Sequence, residues 1–476
     1  MTTISSPGTL RWVLGLASVA SFMVALDTLV VSTALTTIRA DLGASVEDLE
    51  WTVNAYNLTF AVLLLVAAAL GDRYGRRRLF AAGLAGFSLA SAACALAPDV
   101  GTLIAARAVQ GAGAAFVMPL AVALVGAAFP PERRGAAMGA MQGLTGLSVA
   151  SGPVIGGAIA QGIDWPWIFW VNVPIGLAAV PLVLAKVPES VGARAPIDLR
   201  GTALVTAGAL GVVWGLVRGN DAGWGSGEVV GALAAGAASL ALCVRSQLRR
   251  GDRALLPPRL FASRAFSAGN AAALLLTASL FSAVFFFAQF QQSALGQSPL
   301  DAGLRLLPWT ATLFFVAPVA GKLVDRRGER PLLVGGLLAQ AAGFAWIALI
   351  ADPGMSYTSM IAPMMLAGCG VSAAIPSAIN AVTGAVAPPD MGKAAGTNSM
   401  LRELGGVFGI AIAVAVFAGA GSDASASAFA DGFTPAILAS AAMALLGAAI
   451  ATLVPARGAA PAPVAATAAA AGSPAG

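Results

Sequence analysis

The sequence contains no histidine, so no imidazole can titrate near neutral pH and any proton relay must be built from carboxylates. Charged residues make up only 10% of the 476, too few to cover a water-soluble globule of this length. Cysteines are scarce as well. Cys94, Cys243 and Cys369 each fall inside an apolar run, which excludes an extracellular disulfide framework and leaves packing as their role. No metal-ligand spacing and no G-x-x-x-x-G-K-[ST] phosphate loop occurs, which argues against a metal centre, an enzyme and an ATP-driven pump. The chain is expected to use no cofactor and to bind no nucleic acid.

What is abundant is apolar surface: 58% of residues are hydrophobic, and the mean hydropathy is +0.83. It comes in runs of about 17–25 residues, the length that crosses roughly 30 Å of hydrocarbon as a helix, and without the short alternation of barrel strands. The first run follows Arg11 and resembles a secretory signal, but Asp27 lies in its middle and many runs follow, so it reads as an uncleaved span. Spans are predicted at 12–34, 51–70, 79–97, 102–125, 137–160, 167–186, 201–217, 228–246, 266–289, 303–323, 331–350, 358–380, 397–419 and 433–454. The predicted fold is all-α, a polytopic membrane protein of 14 transmembrane helices. The seventh and eighth are short and rich in Gly and Ala, which leaves a re-entrant pair over 201–246 open.

With both termini in the cytoplasm, only Arg39 and Arg218 face out and Arg107 and Arg305 lie within spans, so about 23 of the 27 Lys and Arg are inside. The clusters that set this orientation include Arg73, Arg76, Arg77 and Arg78, a run from Arg245 to Arg264 containing Arg253, and Lys322, Arg326, Arg327 and Arg330. The outside loops are assigned Asp41, Glu47, Asp48, Glu50, Asp99, Asp164 and Asp352. The expected location is the inner (cytoplasmic) membrane.

Two internal matches mark a duplication. Gly71-Asp72-Arg73-Tyr74-Gly75-Arg76-Arg77 recurs as Val324-Asp325-Arg326-Arg327-Gly328-Glu329-Arg330, an offset of 253 residues. Gly111-Ala112-Gly113 with Pro119 and Pro131 recurs as Gly368-Cys369-Gly370 with Pro376 and Pro388, an offset of 257. Each half therefore holds six spans in the same order, with two inserted between them. The expected units are a six-helix bundle over 1–186, a linker with two inserted helices over 187–265, a second six-helix bundle over 266–454, and a disordered cytoplasmic tail over 455–476 that carries one charge, Arg457.

These motifs resemble the major facilitator superfamily and, within it, the drug:proton antiporters with 14 spans, over nearly the whole chain from Val13 to about Leu453. The loop after the second span is similar to the family's G-x-x-x-D-R-x-G-R-R signature, with Asp72, Arg73, Gly75, Arg76 and Arg77 in place and Ala68 where the first glycine belongs. The second copy keeps Gly321, Asp325, Arg326, Gly328 and Arg330. The resemblance implies a conformational gate, in which glycines permit the tight turn and the charges pair or separate as the halves rock. A topology signal alone would need no aspartate.

The fifth span, Ser148-Val149-Ala150-Ser151-Gly152-Pro153-Val154-Ile155-Gly156-Gly157, is similar to the G-x-x-x-G-P-x-x-G-G signature of antiporters, with Ser148 at its first glycine. Its small residues allow close helix approach and Pro153 allows a kink. The equivalent stretch around Phe408-Gly409-Ile410 lacks the proline. The fourth span carries Leu103-Ile104-Ala105-Ala106-Arg107-Ala108-Val109-Gln110-Gly111, resembling L-x-x-x-R-x-x-Q-G, and the duplication puts Met364 opposite Arg107. An intramembrane arginine costs at least about 2.5–3.5 kcal/mol on insertion scales, which makes it a functional candidate.

Asp27, expected to be the one carboxylate buried in the first half of the chain, matches the acidic position of these exporters, with Arg107 as its partner and Glu403, placed near the cytoplasmic end of the thirteenth span beside Arg402, as a second acidic candidate. Trp165-Pro166-Trp167-Ile168-Phe169-Trp170-Val171-Asn172 also looks like the family's sixth-span opening, its tryptophans placed for an aromatic belt. Asn57-Leu58-Thr59 matches a glycosylation pattern but lies inside a span. Phe22, Tyr56 and Trp309 are candidate substrate contacts.

The function implied is export of small amphipathic compounds such as drugs, antibiotics or toxic metabolites against a proton gradient. The expected partners are a small-molecule substrate, protons and the lipid bilayer, and the expected state is a monomer. The alternatives are an importer or facilitator of the same superfamily and, less favoured for want of a soluble output domain, a membrane sensor.

Overall fold

The computed structural model describes residues 7–192, 197–251, 254, 256–387 and 390–456. Arg253, Pro388 and Arg457, with the tail from residue 457 on, lie outside the described residues, as does the side chain of Asp325. The spans are α1 (Pro7–Leu42), α2 (Val46–Tyr74), α3 (Arg76–Ala95), α4 (Val100–Ala128), α5 (Pro131–Gly162), α6 (Trp167–Lys186) and α7 (Leu199–Ala222). They continue as α8 (Gly227–Arg250), α9 (Arg264–Ala294), α10 (Pro299–Val324), α11 (Glu329–Ile350), α12 (Tyr357–Thr383), α13 (Met391–Ala420) and α14 (Ala426–Ala451).

Thirteen of these helices are long and apolar enough to cross a membrane, and α5 is the fourteenth, bent by 42° between Glu132–Ser148 and Ser151–Gly162. The bend lies just ahead of Pro153, which has no N–H to give to residue 149 and whose ring crowds that carbonyl. Leu89, Leu177, Phe315 and Leu349 point outward from the bundle, an arrangement that lipid solvates and water does not. The chain is a multi-pass membrane protein.

Helices outrun the predicted spans because their polar ends have local partners. At α2, Ser45 and Asp48 form a capping box, Asp48 N–H donating to Ser45 Oγ at 3.1 Å and Ser45 N–H to Asp48 Oδ2 at 2.9 Å. That cap starts the helix at Val46 and corrects the loop assignment of Glu47, Asp48 and Glu50, all three of which are helical. Asp41 is likewise in the last turn of α1.

α7 and α8 are full-length antiparallel helices of 24 residues each, about 36 Å long at 1.5 Å per residue, which rules out the re-entrant reading. Their glycines explain the pairing: a β-carbon on Gly211 would meet the Ala232 carbonyl and Gly236 at 2.9 Å. α7 lies along the seam between α2 and α13, with Trp51 against Trp214 at 5.9 Å and Asn220 Nδ2 donating to the Ala415 carbonyl at 2.6 Å.

The duplication is visible in the packing. α1 packs on α5 as α9 packs on α13, and α3 on α4 as α11 on α12. Gly111 is pressed against the Tyr56 carbonyl and Thr59 Oγ1, and Gly368 against the Trp309 carbonyl and Thr312 Oγ1. Those contacts are equivalent under the duplication, the glycines at the 257-residue offset and their partners at 253, so the glycines sit where two helices cross with no room for a side chain.

Candidate functional site

α1, α3, α4 and α6 meet around Asp27, which is 3% exposed, and Arg107, which is 1% exposed. Arg107 Nη1 donates to Asp27 Oδ2 at 2.5 Å. The other carboxylate oxygen, Oδ1, accepts from Gln110 Nε2 at 2.8 Å and from Asn172 Nδ2 at 2.9 Å. Ser91 Oγ accepts from both amides, at 3.2 and 3.0 Å, and donates to the Phe169 carbonyl at 2.9 Å. Arg107 also donates to Gln110 Oε1 at 2.7 Å and to the Thr52 carbonyl at 3.2 Å, with its guanidinium 4.2 Å above the Tyr56 ring and 5.6 Å from that of Phe169. Both carboxylate oxygens of Asp27, and Nε and Nη1 of Arg107, are therefore hydrogen-bonded, the kind of compensation a buried ion pair needs; removing one member costs about 3–5 kcal/mol.

The predicted pair is thus brought together, but the network contains three residues to which no role was assigned. Gln110 was legible as a partner of Arg107, since positions three apart share a helix face. Asn172 and Ser91 gave only the weaker signal of a polar residue in an apolar run.

The network borders a central cavity of about 220 Å³ lined by both halves. Val24, Ala25 and Thr28, on either side of Asp27, line it, while Asp27 is turned into the bundle behind them. Glu403 also lines the cavity, with Arg402 beside it, so Glu403 is a cavity residue 12 positions into the 30-residue α13 and not a group at the helix end. Of the three aromatic candidates, Trp309 lines the cavity. Tyr56 does not, being fully buried under Arg107, and Phe22 is half-buried against the apolar core. Of the tryptophans expected in an aromatic belt, Trp167 is 49% exposed, but Trp165 is 2% exposed and donates through Nε1 to Asp41 at 2.8 Å.

The face opposite the α2–α3 loop is closed by contacts between the halves. Gln292 Nε2 donates to the Thr33 carbonyl at 3.1 Å, Thr36 bonds Gln292, Arg39 pairs with Asp423, and Leu300 N–H donates to Gln161 Oε1 at 3.3 Å. The fifth-span glycines belong to the same seal. Gly152 and Gly156 lie on Leu29 and Val30 of α1, and Gly157 on the Pro299 carbonyl of α10. Gly303 of α10 returns the contact on the Pro153 carbonyl, so α5 and α10 touch backbone to backbone. Ser148, at the motif's first glycine, turns its hydroxyl back to the Thr145 carbonyl.

On the loop face, Gly75 has φ +113° and Gly328 φ +84°, values that require glycine at both copies of the turn. Arg76 Nε donates to Asp72 Oδ1 at 2.7 Å. The segment after α6 straps this loop: Gly192 N–H donates to the Asp72 carbonyl, Arg76 N–H to the Ser190 carbonyl, each at 2.9 Å, and Arg77 N–H to Glu189 Oε1 at 2.9 Å. Arg73 lies against Tyr74, 5.4 Å from the ring centroid, and in the second copy Arg326 and Arg330 are exposed. Among the described residues, the hydrogen bonds of Asp72 and Arg76 are within the first half and its strap. Asp72→Asn keeps the side-chain shape and removes the charge, a loss of about 1 kcal/mol or roughly fivefold in a conformational equilibrium. Turnover should fall by about that factor with the amount of inserted protein unchanged, as measured by initial rates per unit of purified protein; an equal fall in folded protein would make the pair structural.

The sequence matches the Major Facilitator Superfamily over residues 17–410 and again over 269–474. It is 35% identical over 399 residues to the tetracenomycin C resistance and export protein of Streptomyces glaucescens, covering 83% of this chain and 73% of that one. It is 36% identical over 413 residues to the cephamycin export protein CmcT of Amycolatopsis lactamdurans, covering 86% and 85%, and 34% identical over 407 residues to the puromycin resistance protein pur8 of Streptomyces alboniger, covering 84% and 80%. In fold it is similar to a bacterial homolog of the human lysosomal transporter Spinster, with a TM-score of 0.68 at 16% identity over 94% of this chain and 97% of that one. A POT family transporter gives a TM-score of 0.70 at 13% identity over 92% and 94%. With its duplicated six-helix halves, its glycine-sealed α5 and these relatives, the chain belongs to the major facilitator superfamily of membrane transporters.

Proposed function

We propose that this transporter is a proton-coupled antiporter that exports small amphipathic compounds across the cytoplasmic membrane by alternating access, with both termini in the cytoplasm and the α2–α3 loop on the cytoplasmic face. The observation that carries the reading is the Asp27–Arg107 network, a hydrogen-bonded buried ion pair one residue behind the cavity wall. A proton on Asp27 would remove the charge that holds Arg107 and place a fourth hydrogen among three donors, so the network must rearrange. Protonation and helix position are thereby linked, and a ligand or proton shifts an equilibrium only through such a difference between states. Glu403, facing the same cavity from the other half, is the second acidic group of the reading.

Support for the direction of transport comes from relatives named for export of, or resistance to, tetracenomycin C, cephamycin and puromycin. The cavity wall is largely apolar, with the charges of Arg402 and Glu403 on it, which suits an apolar compound carrying a polar group. One proton crossing about 150 mV releases roughly 3.5 kcal/mol, enough for a gradient of a few hundredfold in a neutral compound. In proteoliposomes an imposed pH gradient should drive accumulation of tetracenomycin C or puromycin, and an uncoupler should abolish it. Equilibration without accumulation would leave a facilitator.

A further inference from the structure

Contrary to expectation, Asp27 is not the one carboxylate buried in the first half: α2 carries Glu50, away from the Asp27 network, because the cap at Ser45 starts the helix early enough to carry position 50 into the packed junction. Glu50 is 0% exposed and, among the described residues, makes one hydrogen bond, accepting from Asn54 Nδ2 at 2.8 Å. Among the described residues, Glu50 Oε2, Asn54 Oδ1 and both polar atoms of Asn57 are buried without a partner. Positions 50, 54 and 57 share one helix face, and Asn54 Nδ2 also points at the Val407 carbonyl of α13, 3.5 Å away. This polar stripe therefore lies in the junction between the two halves, where α2, α7 and α13 form an otherwise apolar cluster through Leu58, Val213 and Leu404.

The surroundings offer a negative charge one neutral donor, Asn54, and, among the described residues, no cation. Among the described residues, the charged group acting on Glu50 at close range is Glu47, one turn earlier and of the same sign. α13 has its Arg402 and Glu403 on the cavity, and α7 has Arg218 paired with Asp221 and Glu228. Arg39 of α1 is paired with Asp423. A carboxylate with one neutral donor in a dry interface costs several kcal/mol. One proton removes that cost and a second defect with it. Glu50 Oε2 and Asn54 Oδ1 are two acceptors lacking a donor, in a side-chain pair already joined through its other two atoms. A carboxylic acid facing a primary amide completes a reciprocal pair, its carbonyl accepting from N–H and its hydroxyl donating to the amide oxygen.

We propose that Glu50 is a proton-binding site of the α2–α13 junction, occupied while the junction is packed, and that it makes closure of the outer face acid-dependent. The first half of this stands on the geometry alone; the second rests on the alternating-access reading, in which the outer ends of α2 and α13 separate and water reaches Glu50. A state that binds a proton more tightly gains population as pH falls, by up to tenfold per pH unit for one site, so acid closes the outer face and alkali opens it.

The test uses the full chain, purified and substrate-free, with Cys94, Cys243 and Cys369 replaced and spin labels at Thr102 and Thr358, exposed at the outer ends of α4 and α12. In the unsubstituted protein the long-distance population should grow with pH. Glu50→Gln mimics the neutral acid and keeps the Asn54 bond; it should hold the short distance at every pH, while Glu50→Asp should keep a pH response with a displaced midpoint. Infrared spectra at neutral pH should show a protonated-carboxyl band that Glu50→Gln removes and Asp27→Asn leaves. Loss of an ionised-carboxylate band in Glu50→Gln, or an unchanged pH response, overturns the proposal. Failure of pH-driven accumulation with the Glu50 band and pH response intact would sink the antiport reading and leave the proton site standing.

Discussion

Asp27→Asn should abolish proton-driven accumulation, taking a gradient of a few hundredfold to none, while downhill exchange of labelled substrate continues. The substituted amide fills the same volume, and its oxygen can still accept from Gln110 and Asn172, which now give to Asp27 Oδ1 at 2.8 and 2.9 Å. Its nitrogen faces Arg107 Nη1, donor against donor. Arg107 then relies on Gln110 Oε1, the Thr52 carbonyl and the Tyr56 ring, contacts it already makes, so the fold retains a way to hold the cation. What disappears is the group whose charge changes. Arg107→Ala is the harsher substitution, because it leaves an unpaired carboxylate in the same dry site at about 3–5 kcal/mol, and should lower the yield of folded protein. Counterflow and accumulation measured on the same Asp27→Asn proteoliposomes decide the matter. Accumulation equal to the unsubstituted protein would transfer the coupling role to Glu403.

Gly157→Val should reduce transport by about a hundredfold and trap the outer face open. A β-carbon at this position overlaps the Pro299 carbonyl and would approach Leu300 Cα at 2.8 Å; both are backbone atoms, which cannot rotate aside. Overpacking that side chains can relieve costs about 1–3 kcal/mol, and a backbone clash sits at or above the top of that range. The cost falls on the closed state alone, since separation of α5 from α10 removes the contact. Gly162→Ala is the control on the same helix, with nothing within 4 Å of the added carbon, and should transport normally. Labels at Thr102 and Thr358 should report a long distance in Gly157→Val at every pH. A short distance with near-normal transport would show that this glycine does not form the seal.

The contrast between Gly157 and Glu50 shows how much was legible in the chain. The fifth-span glycines were identifiable because their role depends on having no side chain, which is a property of the residue itself. Their neighbours were not: α1 on one side and α10 of the other half on the other are set by how the two bundles meet. Arg107 and Asp27 could be paired because each is an isolated opposite charge in an apolar run, while Asn172 and Ser91, neutral and common in membrane helices, carried no such mark. Trp309 was a correct cavity aromatic and Tyr56 was not, because both lie in apolar helices and only packing decides which face is turned inward.

By itself the sequence determined the class of protein, the number and order of its helices, the duplication and the positions where a turn or close crossing demands glycine. These follow from local length, composition and periodicity, which the hydrocarbon thickness converts directly into spans. Only the tertiary structure decided that Glu50 is buried and not in a loop, that Glu403 faces the cavity, and that the strap over 187–192 holds the Asp72–Arg76 turn. Inside a bilayer nearly every helix face is apolar, so the pattern that separates core from surface in a soluble protein is absent, and which side a polar residue meets is fixed by the neighbours it packs against.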